Sequence, residues 1–254
     1  MRAYLSFTKK EFLGNLRTYK LLIMFLVFLL FGMLGPITAK LTPKLLESLI
    51  TDGITITLPE PSAFDSWAQF FKNVSQLGLF IVVILFSGMM ANEYSHGTLI
   101  NVLTKGLKRS TVILSKFTAA SMIWTGSYLV CFLMSYFYTE YFWPEDKILN
   151  LSYSVFYLWM FGILLIALII LGGVIFRNSY GCLLFTGGFI VFLYILNIVP
   201  KIQKYNPVAL ISTNMALLKG ESLYMDVIPS LVVSIAIIFL SIAIAIGIFN
   251  KKQI

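Results

Sequence analysis

The sequence of 254 residues is poor in charge, histidine and cysteine. Charged residues make up 12% of it, and it contains one histidine and two cysteines. One histidine cannot form a histidine-based metal site, and both cysteines fall in apolar runs, where neither a disulfide framework nor a thiolate metal site is expected. We therefore expect this chain to have no metal site, no cofactor of its own and no catalytic residues.

The chain also lacks the G-x-x-x-x-G-K-[S/T] sequence of a phosphate-binding loop. Away from their ends, its long apolar runs contain no Asp, Glu, Lys, Arg or His. Such side chains near the bilayer centre usually mark proton relays and ion pathways. This absence argues against a proton-coupled transporter, a voltage sensor and an intramembrane metalloprotease. If the protein drives transport, its energy must come from another polypeptide.

The sequence is rich in long apolar runs. It is 59% hydrophobic with a mean hydropathy of +0.89, well above a soluble domain, which predicts a polytopic membrane protein. Six runs approach or exceed the roughly 20 residues that cross a bilayer as a helix, and helices are the expected spanning form. The fold class is therefore all-α, with spans at about 21–39, 70–91, 111–139, 152–176, 179–199 and 227–249.

The basic residues predict the orientation. With a cytoplasmic N-terminus, 12 of the 19 Lys and Arg residues fall on the inner side, as the positive-inside rule requires, and nine of the 11 acids fall outside. Both termini are then cytoplasmic. The net charge of +8 is explained by the membrane surface, and no nucleic-acid partner is expected.

Three segments flank the spans. Residues 1–20 combine basic and apolar residues at helical spacing, which predicts an amphipathic helix on the cytoplasmic surface of an anionic leaflet. The outer segment at about 40–69 contains Thr42-Pro43, a pair typical of a helix start. The outer segment at about 200–226 contains an apolar stretch too short to span, which predicts a re-entrant or a surface-lying helix before the last span.

The segment from Asn92 to Lys116 interrupts the second and third apolar runs. Ser95 is a candidate N-cap and Gly106 a candidate C-cap for a short helix between them. Its apolar residues share one face, and its polar residues lie away from that face. Such a helix suits docking into a groove on a partner or lying in the headgroup layer. The apolar face comprises Leu99, Val102, Leu103 and Leu107, and the polar residues are His96, Asn101, Thr104 and Lys108.

Glu93, Gly97-Thr98-Leu99, Leu103 and Arg109 resemble the acidic–x3–GTL–x3–L–x5–R pattern of the ABC-2 type permeases, the membrane subunits of ATP-driven exporters. The proline that the family usually has before the end of this pattern is replaced by Gly106-Leu107-Lys108. The resemblance implies that residues 21–254 form a six-span transmembrane domain. It also implies that residues at about 95–107 form a coupling helix docked on an ATPase subunit.

By this resemblance, the coupling residues are Glu93, His96, Gly97, Thr98, Leu99, Val102, Leu103, Leu107 and Arg109. Two copies of an ATP-binding cassette subunit would bind ATP and Mg, and a second permease copy or homologue would complete the pathway within the bilayer. The segment before the last span would form an outer gate that includes Asn206 and Pro207. Glu93 and Arg109 could pair across the base of the coupling segment, or each could anchor its span end in the headgroups.

The apolar, aromatic-rich spans favour an amphipathic or hydrophobic cargo. Small size and a composition rich in Lys and Ile resemble permeases of the bacterial cytoplasmic membrane that export antimicrobial or cytolytic peptides, including the phenol-soluble modulin exporters. Drugs and lipid-linked glycans are cargoes of other members. A membrane scaffold or sensor that docks a cytosolic signalling protein is the alternative outside transport.

Overall fold

The computed structural model describes residues 2–49, 60–95, 97, 103, 104 and 106–251, with the side chains of residues 44–49 excepted. Every regular element in these ranges is helical, and six helices are long and apolar enough to cross a membrane. The protein is therefore an all-α polytopic membrane protein, and the predicted fold class is confirmed.

The described helices are numbered in chain order. A π-helix at Val74–Gly78 joins the third helix to the fourth, so the second span is continuous from Ala63 to Ser95. The other spans are α2, α5, α6, α7 and α11. The bounds are α1 Arg2–Arg17, α2 Lys20–Leu49, α3 Ala63–Asn73, α4 Leu79–Ser95, α5 Arg109–Phe142, α6 Leu151–Phe176, α7 Ser179–Leu196, α8 Pro200–Gln203, α9 Ala209–Ser212, α10 Asn214–Leu218 and α11 Tyr224–Lys251.

Helix α6 lies at the centre of the bundle and packs against α4, α5, α7 and α11. It is apolar on all sides, which is the pattern of a helix surrounded by other helices. Glycines allow the closest contacts. A Cβ atom added at Gly173 would lie 2.9 Å from the Cβ of Met90 in α4. Small residues at such contacts let membrane helices approach closely without a hydrophobic driving force.

The contact between α5 and α6 is built around a buried tryptophan. The indole N–H of Trp124 donates to the carbonyl of Trp159 at 3.0 Å, and the indole N–H of Trp159 donates to the hydroxyl of Thr125 at 3.0 Å. The ring of Trp124 also contacts Phe28 of α2 edge-on, with centroids 5.5 Å apart. These contacts fix the ring in the space that a Cβ at Gly162 would occupy, 2.2 Å from the nearest ring atom.

The sequence predicts a new helix beginning at Thr42-Pro43, and this prediction is wrong. Helix α2 continues to Leu49 with Pro36 and Pro43 inside it. The hydroxyl of Thr42 donates to the carbonyl of Thr38 at 2.6 Å. A threonine inside a helix satisfies its hydroxyl on the preceding turn in this way, so it does not act as an N-cap here.

The second span begins at Ala63, several residues before the predicted start near residue 70. The carboxylate of Asp65 accepts hydrogen bonds from the backbone N–H of Ser62 at 2.9 Å and from its hydroxyl at 2.8 Å. A second carboxylate, that of Asp146, accepts from the N–H of Ala63 at 2.8 Å. Acidic groups at the first turn satisfy free N–H groups and complement the helix dipole, which extends the helix beyond its apolar part.

The apolar stretch before the last span is broken into α9 and α10 by Thr213. Its residues Val208, Leu210, Leu217 and Leu218 are buried, and both short helices pack against α6. The sequence predicts one helix here, re-entrant or surface-lying, and the structure instead has two short helices. The segment contributes to the packed end of the bundle.

Candidate functional site

The segments predicted to be on the inner side meet at one end of the bundle, which we call the Glu93 end. Side-chain contacts at this end join four elements: the end of α4, the beginning of α5, the α6–α7 turn and the end of α11. Helix α1 packs beside them. The predicted coupling segment connects α4 to α5 at this end.

The segment begins at the end of α4. Ser95 is the last residue of α4, and its hydroxyl donates back to the carbonyl of Asn92 at 3.0 Å. The role of Ser95 as the N-cap of the next helix stays a prediction, because residues 98–102 lie outside the described residues. Gly97 follows with a φ of 64° and donates its N–H to the carbonyl of Tyr94 at 3.3 Å. A glycine in the left-handed region just after a helix is a common helix stop.

The far part of the segment agrees with its predicted faces. Leu103 and Leu107 are half-buried and pack against the chain's own hydrophobic cluster, whereas Thr104 and Lys108 are exposed. Gly106 has a φ of 82° and donates its N–H to the carbonyl of Leu103 at 2.9 Å, as expected of a C-terminal glycine. Part of the apolar face is thus covered by this chain, and the exposed side is the polar one. The remaining predicted coupling residues lie outside the described residues: His96, Thr98, Leu99 and Val102.

Glu93 belongs to a buried charge cluster of four residues, which we call the lysine–glutamate cluster. The ammonium group of Lys116 lies 2.8 Å from a carboxylate oxygen of Glu11 and 3.1 Å from one of Glu93. The ammonium group also donates a hydrogen bond to the carbonyl of Met89 at 3.4 Å. Lys116 is 1% exposed, so these protein groups take the place of water around its charge.

Lys10 completes the cluster from its exposed side. Its ammonium group lies 3.2 Å from Glu11 and 3.4 Å from Glu93. Two cations are then paired with two carboxylates, and pairing is the condition under which buried charges are tolerated. A third cation, Lys20 in the first turn of α2, also interacts electrostatically with Lys116 and Glu11. Because the four residues come from α1, α4 and α5, the cluster ties the N-terminal helix to the ends of both spans that flank the coupling segment.

Glu11 and Lys10 are stabilised in their ionised forms by the cluster. Burial raises the pKa of the Glu11 carboxyl, but the ammonium groups of Lys116 and Lys10 outweigh it, and the pKa is lowered from its ordinary value of 4.5. Burial lowers the pKa of Lys10, but Glu11 and Glu93 outweigh it and raise that pKa above 10.5. Both residues are therefore charged over the physiological range.

Arg109 anchors the other end of the segment to the last span. Its guanidinium donates to the carbonyl of Phe249 and, at 3.2 Å, to that of Asn250. It also lies over the ring of Phe249, 5.6 Å from the centroid. Carbonyls in the last turn of a helix lack helical partners, and a cation there also complements the helix dipole. Arg109 thus couples the first residue of α5 to the end of α11.

A second cation–aromatic contact links the α6–α7 turn to the end of α4. Arg177, which adopts a left-handed φ of 56°, lies over the ring of Tyr94 at 5.5 Å. Tyr94 in turn meets Phe249 edge-on, with centroids 6.3 Å apart. Each cation–π contact is worth about 0.5–1 kcal/mol when exposed and more when desolvated. Together these residues connect α4, α6 and α11 beside the segment.

Glu93 and Arg109 therefore hold the two ends of the segment to different helices. The sequence left open a pairing between them, and the salt bridges of Glu93 are with Lys116 and Lys10. Lys116 and Glu11 are the residues that sequence reasoning missed. The sequence contains one indication of this cluster: Glu11 is the only acid in the strongly basic segment 1–20.

The candidate gate residues Asn206 and Pro207 lie at the opposite end of the bundle, and both are buried. The amide of Asn206 donates to the carbonyl of Leu193 at 2.7 Å, and its oxygen accepts from the N–H of Val208 at 3.1 Å. Asn206 thus satisfies a carbonyl in the last turn of α7 and fixes the start of the short-helix segment. A gating role for these residues stays a prediction.

No family model matches the chain. The chain is similar to the uncharacterized transmembrane protein YxlG of Bacillus subtilis (strain 168), with 21% identity over 182 residues that cover 70% of each protein. That similarity agrees with the six apolar helices. The chain is a multi-pass membrane protein.

Proposed function

We propose that this protein is the permease subunit of an ABC-2 type exporter, driven by a separate ATP-binding cassette subunit. Two permease chains and two ATPase subunits form the working complex. The segment between α4 and α5 receives the movement of the ATPase subunits and passes it to both spans. ATP and Mg bind to the partner, and this chain performs no catalysis.

The supporting observation is the way in which the segment is anchored. Glu93 joins its first end to α1 and α5, and Arg109 joins its second end to α11. A load applied to the exposed side, which includes Thr104 and Lys108, would therefore tilt several spans together. A loop that only connects two spans needs no such attachment.

The Glu93 end faces the cytosol in this proposal, with both termini inside the cell. The test is cysteine labelling in intact cells with a membrane-impermeant maleimide. Thr104→Cys should be labelled only after the membrane is opened, and Glu145→Cys, in the exposed turn between α5 and α6, should be labelled from outside. Cys131 and Cys182 are buried, so the parent chain should stay unlabelled and serves as the negative control. The opposite labelling pattern would contradict the orientation.

The cargo is an amphipathic or hydrophobic molecule, and a peptide is favoured. The five spans around α6 expose large apolar side chains along their length, and the lysine–glutamate cluster is confined to the Glu93 end. A pathway between two such surfaces suits a molecule with a large apolar area. Small ions and sugars need polar groups within the spans.

Purification of the full chain in mild detergent tests the partner. We expect an ATP-binding cassette subunit to co-purify and its nucleotide hydrolysis to respond to the permease. Leu103→Glu should abolish association of the permease with the ATPase subunit. The change places a carboxylate in an apolar contact, which should displace the segment. Insertion into the membrane should be unaffected.

The matched control is Leu149→Glu, which makes the same exchange at an exposed leucine in the α5–α6 turn. It should associate like the parent chain. Unchanged association and hydrolysis after Leu103→Glu would refute the coupling role. Co-purification of a kinase or regulator without an ATPase would support the scaffold or sensor instead, and ATP hydrolysis by the purified chain alone would refute both.

A further inference from the structure

A pocket with a volume of about 430 Å³ lies at the end of the bundle opposite the Glu93 end. The start of α3, the end of α5 and the start of α6 form its walls. A space of this size admits a small ligand. We call it the aromatic–acidic pocket, because its lining includes the aromatic residues Trp67, Tyr136 and Trp143 and the charged residues Glu140, Asp146 and Lys147.

The aromatic residues at the end of α5 divide into two sets. Phe137 and Tyr141 are 63% and 79% exposed and do not line the pocket, as expected of an aromatic belt at a membrane surface. Tyr136 and the half-buried Trp143 line the pocket together with Trp67 of α3, which is 2% exposed. A belt explains the first set, whereas the second set encloses a space.

Hydrogen bonds hold the walls of the pocket in place. The carboxylate of Asp146 accepts from the N–H of Ala63 at 2.8 Å and ties the α5–α6 turn to α3. The hydroxyl of Thr139 lies 2.6 Å from that of Ser66, which joins α5 to α3 again. The backbone N–H of Trp143 donates to the carbonyl of Thr139 at 2.8 Å. The pocket is therefore formed before a ligand enters, which lowers the cost of binding.

Aromatic rings next to pocket residues in the sequence bind cations of this chain. The Nζ atom of Lys40 lies 3.9 Å from the ring centroid of Phe142, and that of Lys219 lies 5.3 Å from the centroid of Phe64. Among the described residues, no cation lies over the three rings inside the pocket. The pocket thus offers rings at the same end of the bundle without an internal cation on them.

The charge of the lining also favours a cation. The carboxylates of Glu140 and Asp146 outnumber the ammonium group of Lys147. Within the described ranges, none of these three residues forms a salt bridge. Aromatic rings attract cations through their negative faces, and sites lined by several rings bind quaternary ammonium groups.

We propose that the aromatic–acidic pocket binds a ligand through a quaternary ammonium group of the kind found in choline. The methyl groups of the cation contact the aromatic rings, and Glu140 and Asp146 balance its charge. Free solutes and the headgroup of phosphatidylcholine share this chemistry. The inference goes beyond the proposed function, because it does not depend on an ATPase partner.

Fluorine NMR of the full chain, with its four tryptophans replaced by fluorotryptophan, tests the proposal in phosphatidylglycerol nanodiscs. Single Trp→Phe variants assign the signals. Choline chloride should shift the signals of Trp67 and Trp143 in a saturable way and leave those of Trp124 and Trp159, which do not line the pocket, in place. The control ligand is dimethylbutanol, the uncharged isostere of choline, at matched ionic strength. An equal effect of both ligands, or no effect of choline, would overturn the proposal.

Two charge variants should change the affinity for choline in opposite directions. Glu140→Gln should weaken binding by about two- to fivefold, and Lys147→Gln should strengthen it by a similar factor. A merely structural role would not produce this reversal. The matched control is Glu145→Gln, which removes an exposed acid of the same turn outside the pocket lining and should bind choline like the parent chain. Equal affinity in the parent chain and Glu140→Gln would count against binding of the cation by this lining.

Nanodiscs of phosphatidylcholine identify the source of the cation. If the lipid headgroup fills the pocket, the signals of Trp67 and Trp143 are shifted before choline is added, and choline changes them little. The same response to choline in both kinds of nanodisc assigns the pocket to a free solute.

Discussion

Lys116→Met is expected to lower the free energy of unfolding by about 3–5 kcal/mol, the cost of leaving a buried ion pair without one partner. The methionine fills a similar volume, so the loss is electrostatic. Among the described residues, Lys10 would then be the one cation left in a salt bridge with Glu11 and Glu93, and its side chain is 52% exposed. We expect a large loss of folded protein and a lower melting temperature in detergent.

The double variant Lys116→Met, Glu11→Gln separates charge from packing. Removing one carboxylate as well should restore much of the lost stability, since an uncharged group costs less to bury than an unpaired ion. The matched single control is Lys72→Met at an exposed lysine, which should melt like the parent chain. If the single and double variants melted at the same temperature, the cluster would not be held by its charges.

Gly162→Ala is expected to reach the upper end of the roughly 1–3 kcal/mol that overpacking costs. A Cβ at this position would lie 2.2 Å from an atom of the Trp124 ring. The ring cannot move aside easily, because its N–H is bound to Trp159 and its faces and edges contact Phe28 and Tyr128. Helices α5 and α6 would have to separate. Unfolding by SDS in mixed micelles measures the change.

The control for this variant is Gly126→Ala in α5, where an added Cβ meets no atom within 4 Å. Alanine is the better helix former by about 0.5–1 kcal/mol, so this variant should be neutral or more stable. The two glycine variants are thus expected to change stability in opposite directions. A similar stability in both would contradict the fixed position of the Trp124 ring.

The sequence predicts the six spans because length and hydropathy alone determine them. The predicted fourth span, 152–176, falls within one residue of α6, where apolar residues begin and end abruptly. The first two spans are longer than predicted. Asp65 extends the second span into a polar region, and α2 continues through Pro36 and Pro43 to Leu49.

The candidate site was predictable only in its local part. The sequence predicts Gly106 as a C-cap, and its positive φ agrees with that role. Gly97, which begins the Gly97-Thr98-Leu99 motif, also adopts a positive φ. The contact of Lys116 with Glu11 joins residues 105 positions apart, and no local pattern indicates such a partner. The same holds for Arg109 and the end of α11, because pairing at that distance depends on how whole helices pack.

The π-helix at Val74–Gly78 determines the direction in which Glu93 points. A turn of this kind accommodates one residue more than an α-helical turn, and each residue of an α-helix advances the side chains by about 100°. Without that additional residue, every side chain of α4 would be rotated by this angle relative to Trp67 and Phe70, which are buried in α3. Glu93 would then miss Lys116, although it lies four turns further along. The direction in which the last turn of α4 presents its side chains is thus set by five residues in the middle of the second span.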